Sequence, residues 1–140
     1  MNVTIRVSAL IYPTETEEKV RKAITNIFPL DLSPRDFGTP QLYGEGGIEN
    51  LRKLHMLLRE FRILDAARRI FTNSIEANTI WFSLNKQVAF AGKVNFPASE
   101  ENLGSINVEI SSDNTEDILK IIDWLAPETV EGEPIMEIEL

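Results

Sequence analysis

Arginine recurs along one stretch of the chain, "LREFRILDAARRIF", at positions 59, 62, 68 and 69, with Asp65 set among the last three. On a helix Asp65 would have Arg62 at i−3, Arg68 at i+3 and Arg69 at i+4, so three guanidinium groups would surround one carboxylate. Two readings are open. The group is a ladder of surface ion pairs, or Asp65 holds the arginines in line for phosphate, whose oxygens a guanidinium grips two at a time. A second cluster, Asn85, Lys86, Gln87, Lys93 and Asn95, follows in "SLNKQVAFAGKVNF", with Trp81 just ahead of it. An exposed aromatic flanked by cations can stack a nucleobase while holding phosphate. Arg6 joins this set if its strand shows the same face as Trp81.

Other chemistry is poorly served. The chain has no cysteine and a single histidine, His55, so thiolate catalysis, disulfides and a transition-metal site are not expected. His55 sits between apolar helix positions in "LRKLHMLLRE" and has no partner for an acyl-transfer triad. Asp123 has no evident partner carboxylate. The glycines of "YGEGG" lack the Lys-Ser or Lys-Thr of a phosphate loop and are taken as turn residues. No catalytic constellation is legible, and no cofactor is expected.

Charge is unevenly placed. The net charge is −8, but residues 52–93 hold eight basic and three acidic residues, a net +5, and the rest holds six basic and nineteen acidic, a net −13. Such asymmetry marks either a basic surface on an acidic protein or solvated helix positions. No apolar run reaches the roughly 20 residues of a membrane span, and no signal-peptide pattern opens the chain, so a cytoplasmic protein without membrane contact is expected.

The elements that must position these residues follow from periodicity. Val3, Ile5, Val7, Ala9 and Ile11 alternate with Thr4, Arg6 and Ser8, a half-buried strand. "TETE" reads as a capping box from Thr14 to Glu17, opening a helix that buries Val20, Ala23, Ile24, Ile27 and Phe28 and ends at Pro29. Residues 30–47 are turn-rich and leave room for one short strand near 41–43. Helical spacing returns over 48–75 and is too long for one helix, so a break is expected near Arg59 to Phe61. Strands at 79–84 and 88–96 would pair as a hairpin through Asn85-Lys86-Gln87, an odd loop that keeps Phe82 opposite Phe90. Asn85 would suit a turn because asparagine tolerates positive φ. Trp81, Lys93 and Asn95 would then face outward. "SINVEI" is a further strand with Asn107 outward. Asp113 and Glu116 mark a second capping box, before a helix that buries Ile118, Ile121, Ile122 and Leu125. The expected fold is α+β, a two-layer sandwich with a mostly antiparallel sheet and helices on one face, a single domain over residues 1–127.

"LREFRILDAARRIF", "NTIWFSLNKQVAFAGKVNF" and "IIDWLAP" together resemble a family of uncharacterised archaeal proteins. The resemblance runs from about Val3 to Pro127 and leaves the acidic tail outside. It implies a ribosomal L5-like fold, whose namesake binds 5S ribosomal RNA, and hence a general RNA-binding role. It implies no catalytic residue, cofactor or substrate. The recurring motif positions correspond to Arg62, Asp65, Arg68, Asn85, Lys86, Gln87, Gly92, Lys93 and Asn95.

Two functions are therefore carried forward. One is RNA binding through the basic region 59–95, with Arg59, Arg62, Arg68 and Arg69 beside the Trp81–Asn95 set and Arg6. The other is a homo-oligomeric or protein-interaction module, such as a homodimer, using Leu10, Tyr12, Trp81, Ala89 and Ala91 on the same outer face. Residues 128–140 form an acidic tail in which Met136, Ile138 and Leu140 alternate with glutamates. It reads as an added strand over 135–140, after a reversal at Gly132, or as a frayed end.

Overall fold

The computed structural model describes residues 1–97 and 104–140. The alternation at the N-terminus makes β1 (Val3–Leu10), with Val3, Ile5, Val7 and Ala9 buried and the residues between them half-exposed. The helix that follows, α1 (Glu17–Thr25), is capped by Thr16, whose hydroxyl accepts from the Lys19 N–H at 3.2 Å. The expected cap at Thr14 is displaced by two residues. The reason is local: Glu15 closes a turn onto Tyr12, its N–H donating to the Tyr12 carbonyl and its carboxylate accepting from the Tyr12 N–H.

The turn-rich segment holds two strands where one was expected, β2 (Leu32–Asp36) and β3 (Pro40–Gly46). Pro34 disguises β2, and it is tolerated because β2 is an edge strand. Gly44 and Gly46 lie in β3 and are not turn residues. A Cβ on Gly46 would come 2.4 Å from the Asn50 side-chain nitrogen and 2.6 Å from Leu30 Cδ2.

A short 3-10 turn (Ile48–Leu51) leads into α2 (Arg52–Glu60), and α3 (Leu64–Asn73) follows. The expected break falls at Phe61-Arg62-Ile63, where Arg62 takes a left-handed conformation, φ 55°. The apolar stripe expected over both helices is buried as Leu54, Leu57, Leu58, Leu64, Ala67 and Phe71.

The hairpin does not form. β4 (Thr79–Asn85) is followed directly by a short helix, α4 (Lys86–Phe90), and β4 pairs instead with β5 (Ser105–Ser112), matching Phe82 with Val108 and Leu84 with Ile106. Asn85 is the cap of α4. Its φ is −70°, and its side-chain oxygen accepts from the Val88 N–H at 3.0 Å. Gly92, at φ 80°, follows the end of the helix. Residues 98–103, which the sequence reading placed in a loop, lie outside the described residues.

The last helix, α5 (Thr115–Leu125), buries Ile118, Ile121, Ile122 and Leu125 as expected, together with Trp124. Its cap is Asn114 and not Asp113: the asparagine oxygen accepts from the Asp117 N–H at 2.9 Å. Beyond it, β6 (Thr129–Val130) and β7 (Glu133–Pro134) make a small ladder turned at Glu131-Gly132. The reversal is where Gly132 suggested it, but the ladder lies at 129–134, and 135–140 contains no strand.

The five long strands form one antiparallel sheet in the order β2-β3-β1-β5-β4. The helices pack on one face, enclosing Ile5, Ile24, Phe28, Leu58, Phe71 and Ile80, all fully buried. Each such side chain contributes about 1.5–3 kcal/mol. The other face is open.

Candidate nucleic-acid interface

On the open face the antiparallel register brings one residue from each of four strands into a row: Trp81 on β4, Glu109 on β5, Arg6 on β1 and Glu45 on β3. The Glu109 carboxylate is shared. It accepts from Arg6 Nη1 at 2.9 Å and from the Trp81 indole N–H at 3.0 Å. Arg6 Nε lies 3.7 Å from Glu45, which also accepts from the Tyr43 hydroxyl at 2.9 Å. The fifth strand joins through Arg35 on β2, whose guanidinium sits 3.5 Å from the centre of the Tyr43 ring. One chain of polar and ring contacts thus crosses the whole sheet. The hydrogen bond to Glu109 is the main cause that raises the Arg6 pKa above its ordinary value, and Glu45 adds to it.

Beside this row runs a second, of hydroxyls and amides. Ser83 donates to Asn107 at 2.9 Å, and Ser8 stands opposite both Asn107 and Tyr43. Together they floor a shallow depression of about 520 Å³. Trp81 is 42% exposed there. An exposed indole, a half-buried tyrosine ring with a guanidinium on it, a second arginine and a set of neutral hydrogen-bonding groups can hold bases by stacking and edge contacts. Arg35 has no carboxylate partner among the described residues.

Of the residues expected here, Arg6, Trp81 and Asn107 are on this face. Lys93 and Asn95 are not: both are exposed on the chain after α4, outside any strand. The Asn95 carbonyl accepts from the Asn85 N–H at 2.9 Å. Gln87 is exposed on α4. Lys86, expected in an exposed turn, is 3% exposed. Its ammonium donates to the Leu10 carbonyl at 2.7 Å and to Glu15 at 2.8 Å, and lies 4.6 Å from the Tyr12 ring centre. The turn at residues 12–15, which delayed α1, is thus also the receptor for Lys86. Glu109 and Ser8 were readable from strand parity. Tyr43 and Arg35 were hidden in the turn-rich segment.

The basic helices have a different surrounding. Arg59 bridges to the end of α5, with Nη1 on the Leu125 carbonyl at 3.0 Å and Nη2 on the Trp124 carbonyl at 3.1 Å. Its Nε and Nη2 also form a fork on Glu137, at 2.8 and 2.6 Å. Arg62 meets Glu133 at 2.7 Å, and Arg68 meets Asp123 at 2.9 Å and Glu128 at 3.6 Å. Asp65 accepts from the Thr129 hydroxyl and forms no ion pair with Arg62, Arg68 or Arg69. The i±3 ladder read from the sequence is replaced by partners from α5 and the tail. Arg69 makes no ion pair among the described residues. The fork from Arg59 holds the Glu137 carboxyl below its ordinary range. His55 stacks on Trp124 at 4.6 Å, and burial, with Arg59 nearby, lowers its pKa.

Fold and face define an α+β sandwich protein whose sheet is covered on one side and presents aromatic and arginine side chains on the other. A family model described as RNA binding matches residues 4–112, which span all five strands of that sheet. The chain belongs to this family, whose curated relatives carry the name UPF0201 protein. One from Methanopyrus kandleri is 45% identical, over 92% of this chain and 87% of its own. One from Methanosarcina acetivorans is 41% identical, over 99% of this chain and 93% of its own. That span takes in the acidic tail, so the likeness does not stop at Pro127. The crystal structure of the Methanococcus jannaschii UPF0201 protein superposes with a TM-score of 0.81 at 40% identity, covering 97% of this chain and all of that one. Among the described residues no helix is long and apolar enough to cross a membrane.

Proposed function

We propose that this protein binds single-stranded RNA on the open face of its sheet and acts as a binding protein, not a catalyst. The observation that carries the proposal is the row of contacts through Trp81, Glu109, Arg6, Glu45, Tyr43 and Arg35, which draws on all five strands. Bases stack on Trp81 and Tyr43, Asn107 and Ser83 contact base edges, and Arg35 holds phosphate. The RNA-binding description of the family model over residues 4–112 supports the same reading. Because Arg6 is already paired with two carboxylates, stacking supplies most of the affinity, and sequence preference is weak.

The test is titration of a labelled single-stranded oligoadenylate at two salt concentrations. Each base–aromatic stack contributes about 1–3 kcal/mol, so Trp81→Ala weakens binding about 5- to 150-fold with little change in salt slope. Arg35→Gln flattens the slope by about 0.7. A folded Trp81→Ala/Tyr43→Ala double variant with unchanged affinity refutes the assignment. If that variant instead changes the mass in solution, the face is a self-association surface, and the salt dependence of RNA binding has another source.

A further inference from the structure

Arg59 of α2, Arg68 of α3 and Arg62 between the two helices are each met by a carboxylate from beyond residue 122. Glu137 takes a fork from Arg59, Glu133 pairs with Arg62, and Asp123 and Glu128 pair with Arg68. The fork is the geometry with which a guanidinium grips one phosphate. Residues 128–140 carry five glutamates and no basic residue. Little apolar burial holds this segment. Ile135 is 61% exposed, Met136 67% and Val130 62%, while Ile138 alone of its larger apolar side chains packs against the core. The Arg62–Glu133 pair is largely solvated and holds the segment weakly, while Glu137, 47% exposed, is its firmer hold through the fork on Arg59, which a phosphate offering two oxygens can take over. The arginines lie within the RNA-binding match, 4–112, and their acidic partners lie outside it.

We infer that Arg59 and Arg62, with Arg68 beside them, form a second phosphodiester-binding row on the helical side of the molecule, that the C-terminal acidic segment occupies it in the free protein, and that RNA reaches it by displacing Glu133 and Glu137. This rests on the RNA-binding reading above. Arg59 keeps its bonds to the Trp124 and Leu125 carbonyls while its Nε and Nη2 exchange a carboxylate for a phosphate. Arg62 is 69% exposed and meets the ligand without rearrangement of the core.

The experiment uses the full chain with Glu133→Gln and Glu137→Gln together, which keeps size and removes charge, and titrates oligoadenylate at two potassium chloride concentrations. The variant should bind about three- to tenfold more tightly than the parent, and its salt slope should steepen by about 1.4, the change for two added phosphate contacts on a single strand. Adding Arg62→Gln in that background should remove about half of the gain in slope. In the parent, oligoadenylate should speed amide exchange over residues 135–138. Parent and variant binding with equal affinity and slope overturns the inference and leaves the sheet-face reading standing. Binding by the variant but not the parent supports it. Binding by neither overturns both. A Trp81→Ala protein that loses affinity while the glutamine variant gains none separates failure of the tail from failure of the face.

Discussion

Lys86 gives the sharpest test of the structure, because the sequence presents it as an exposed lysine and the fold buries it. Lys86→Ala removes an ammonium that donates to the Leu10 carbonyl and to Glu15, in a site where the lysine is 3% exposed. Losing one partner of a buried ion pair costs about 3–5 kcal/mol when the remaining charge stays buried. Glu15 is 25% exposed and still accepts from the Tyr12 N–H, so water and backbone recover part of this. The lower end, about 3 kcal/mol, is expected. With an unfolding entropy of about 2.1 cal/mol/K per residue, a chain this long loses about 10 °C in Tm. Lys86→Met keeps most of the buried stem but loses the ammonium that lies over Tyr12, and should recover the packing share only. A double-mutant cycle with Glu15→Gln should give a coupling of about 1–2 kcal/mol. Thermal and urea unfolding with two probes measure all three. A Lys86→Ala protein melting within about 2 °C of the parent would refute the buried placement and, with it, the helix α4.

Acidification should destabilise the fold in two stages, read from Tm against pH. His55 is pushed below its ordinary 6.5, chiefly by burial, so as pH falls past that value the unfolded chain takes up a proton that the folded one resists, and stability declines; His55→Phe, which keeps a ring on Trp124, should flatten this stage. Glu137 is held below its ordinary 4.5 by the Arg59 hydrogen bond, so its contribution is full above 4.5 and is lost as pH falls through the depressed value; Glu137→Gln should remove the second stage. Gly46→Ala should lower the urea midpoint by the equivalent of about 1–3 kcal/mol, because the added carbon collides with Asn50 and Leu30; an unchanged midpoint would mean that β3 and the 3-10 turn are not so closely packed.

What the sequence disclosed follows the range of the interactions concerned. The faces of β1, β5 and α5 were legible because burial on one side imposes a period that each segment carries by itself. The break at 61–63 was legible from length alone. The hairpin failed because apolar residues at 82, 84, 88 and 90 fit a strand continued through a turn as well as a strand followed by one helical turn. The arbiter is β5, which takes the pairing edge of β4 from more than twenty residues away. A local signal did exist in Asn85, a good cap before "KQVAF", with Gly92 to end the helix. The burial of Lys86 could not be read, since its acceptors lie near residue 10. The charge asymmetry was legible but its meaning was not. The acidic remainder of the chain folds onto the basic segment, so the arginines that looked like a free surface have intramolecular counterions.

The strand order also dictates a timetable. β1 sits in the middle of the sheet, and its outermost partner in sequence is β5, with Val3 opposite Ser112. During synthesis β1, β3 and β2 can associate once residue 46 has emerged, but β4 has no neighbour until β5 arrives to join it to β1. Closing a loop of that length delays the rewarding contacts, so the sheet is completed late in folding. Until then β1 shows an unpaired edge and β4 its apolar face, the condition in which a nascent chain depends on chaperones. Glu109 reaches Arg6 and Trp81 only when that step is done, so the surface assigned to RNA is among the last parts of the molecule to come into existence.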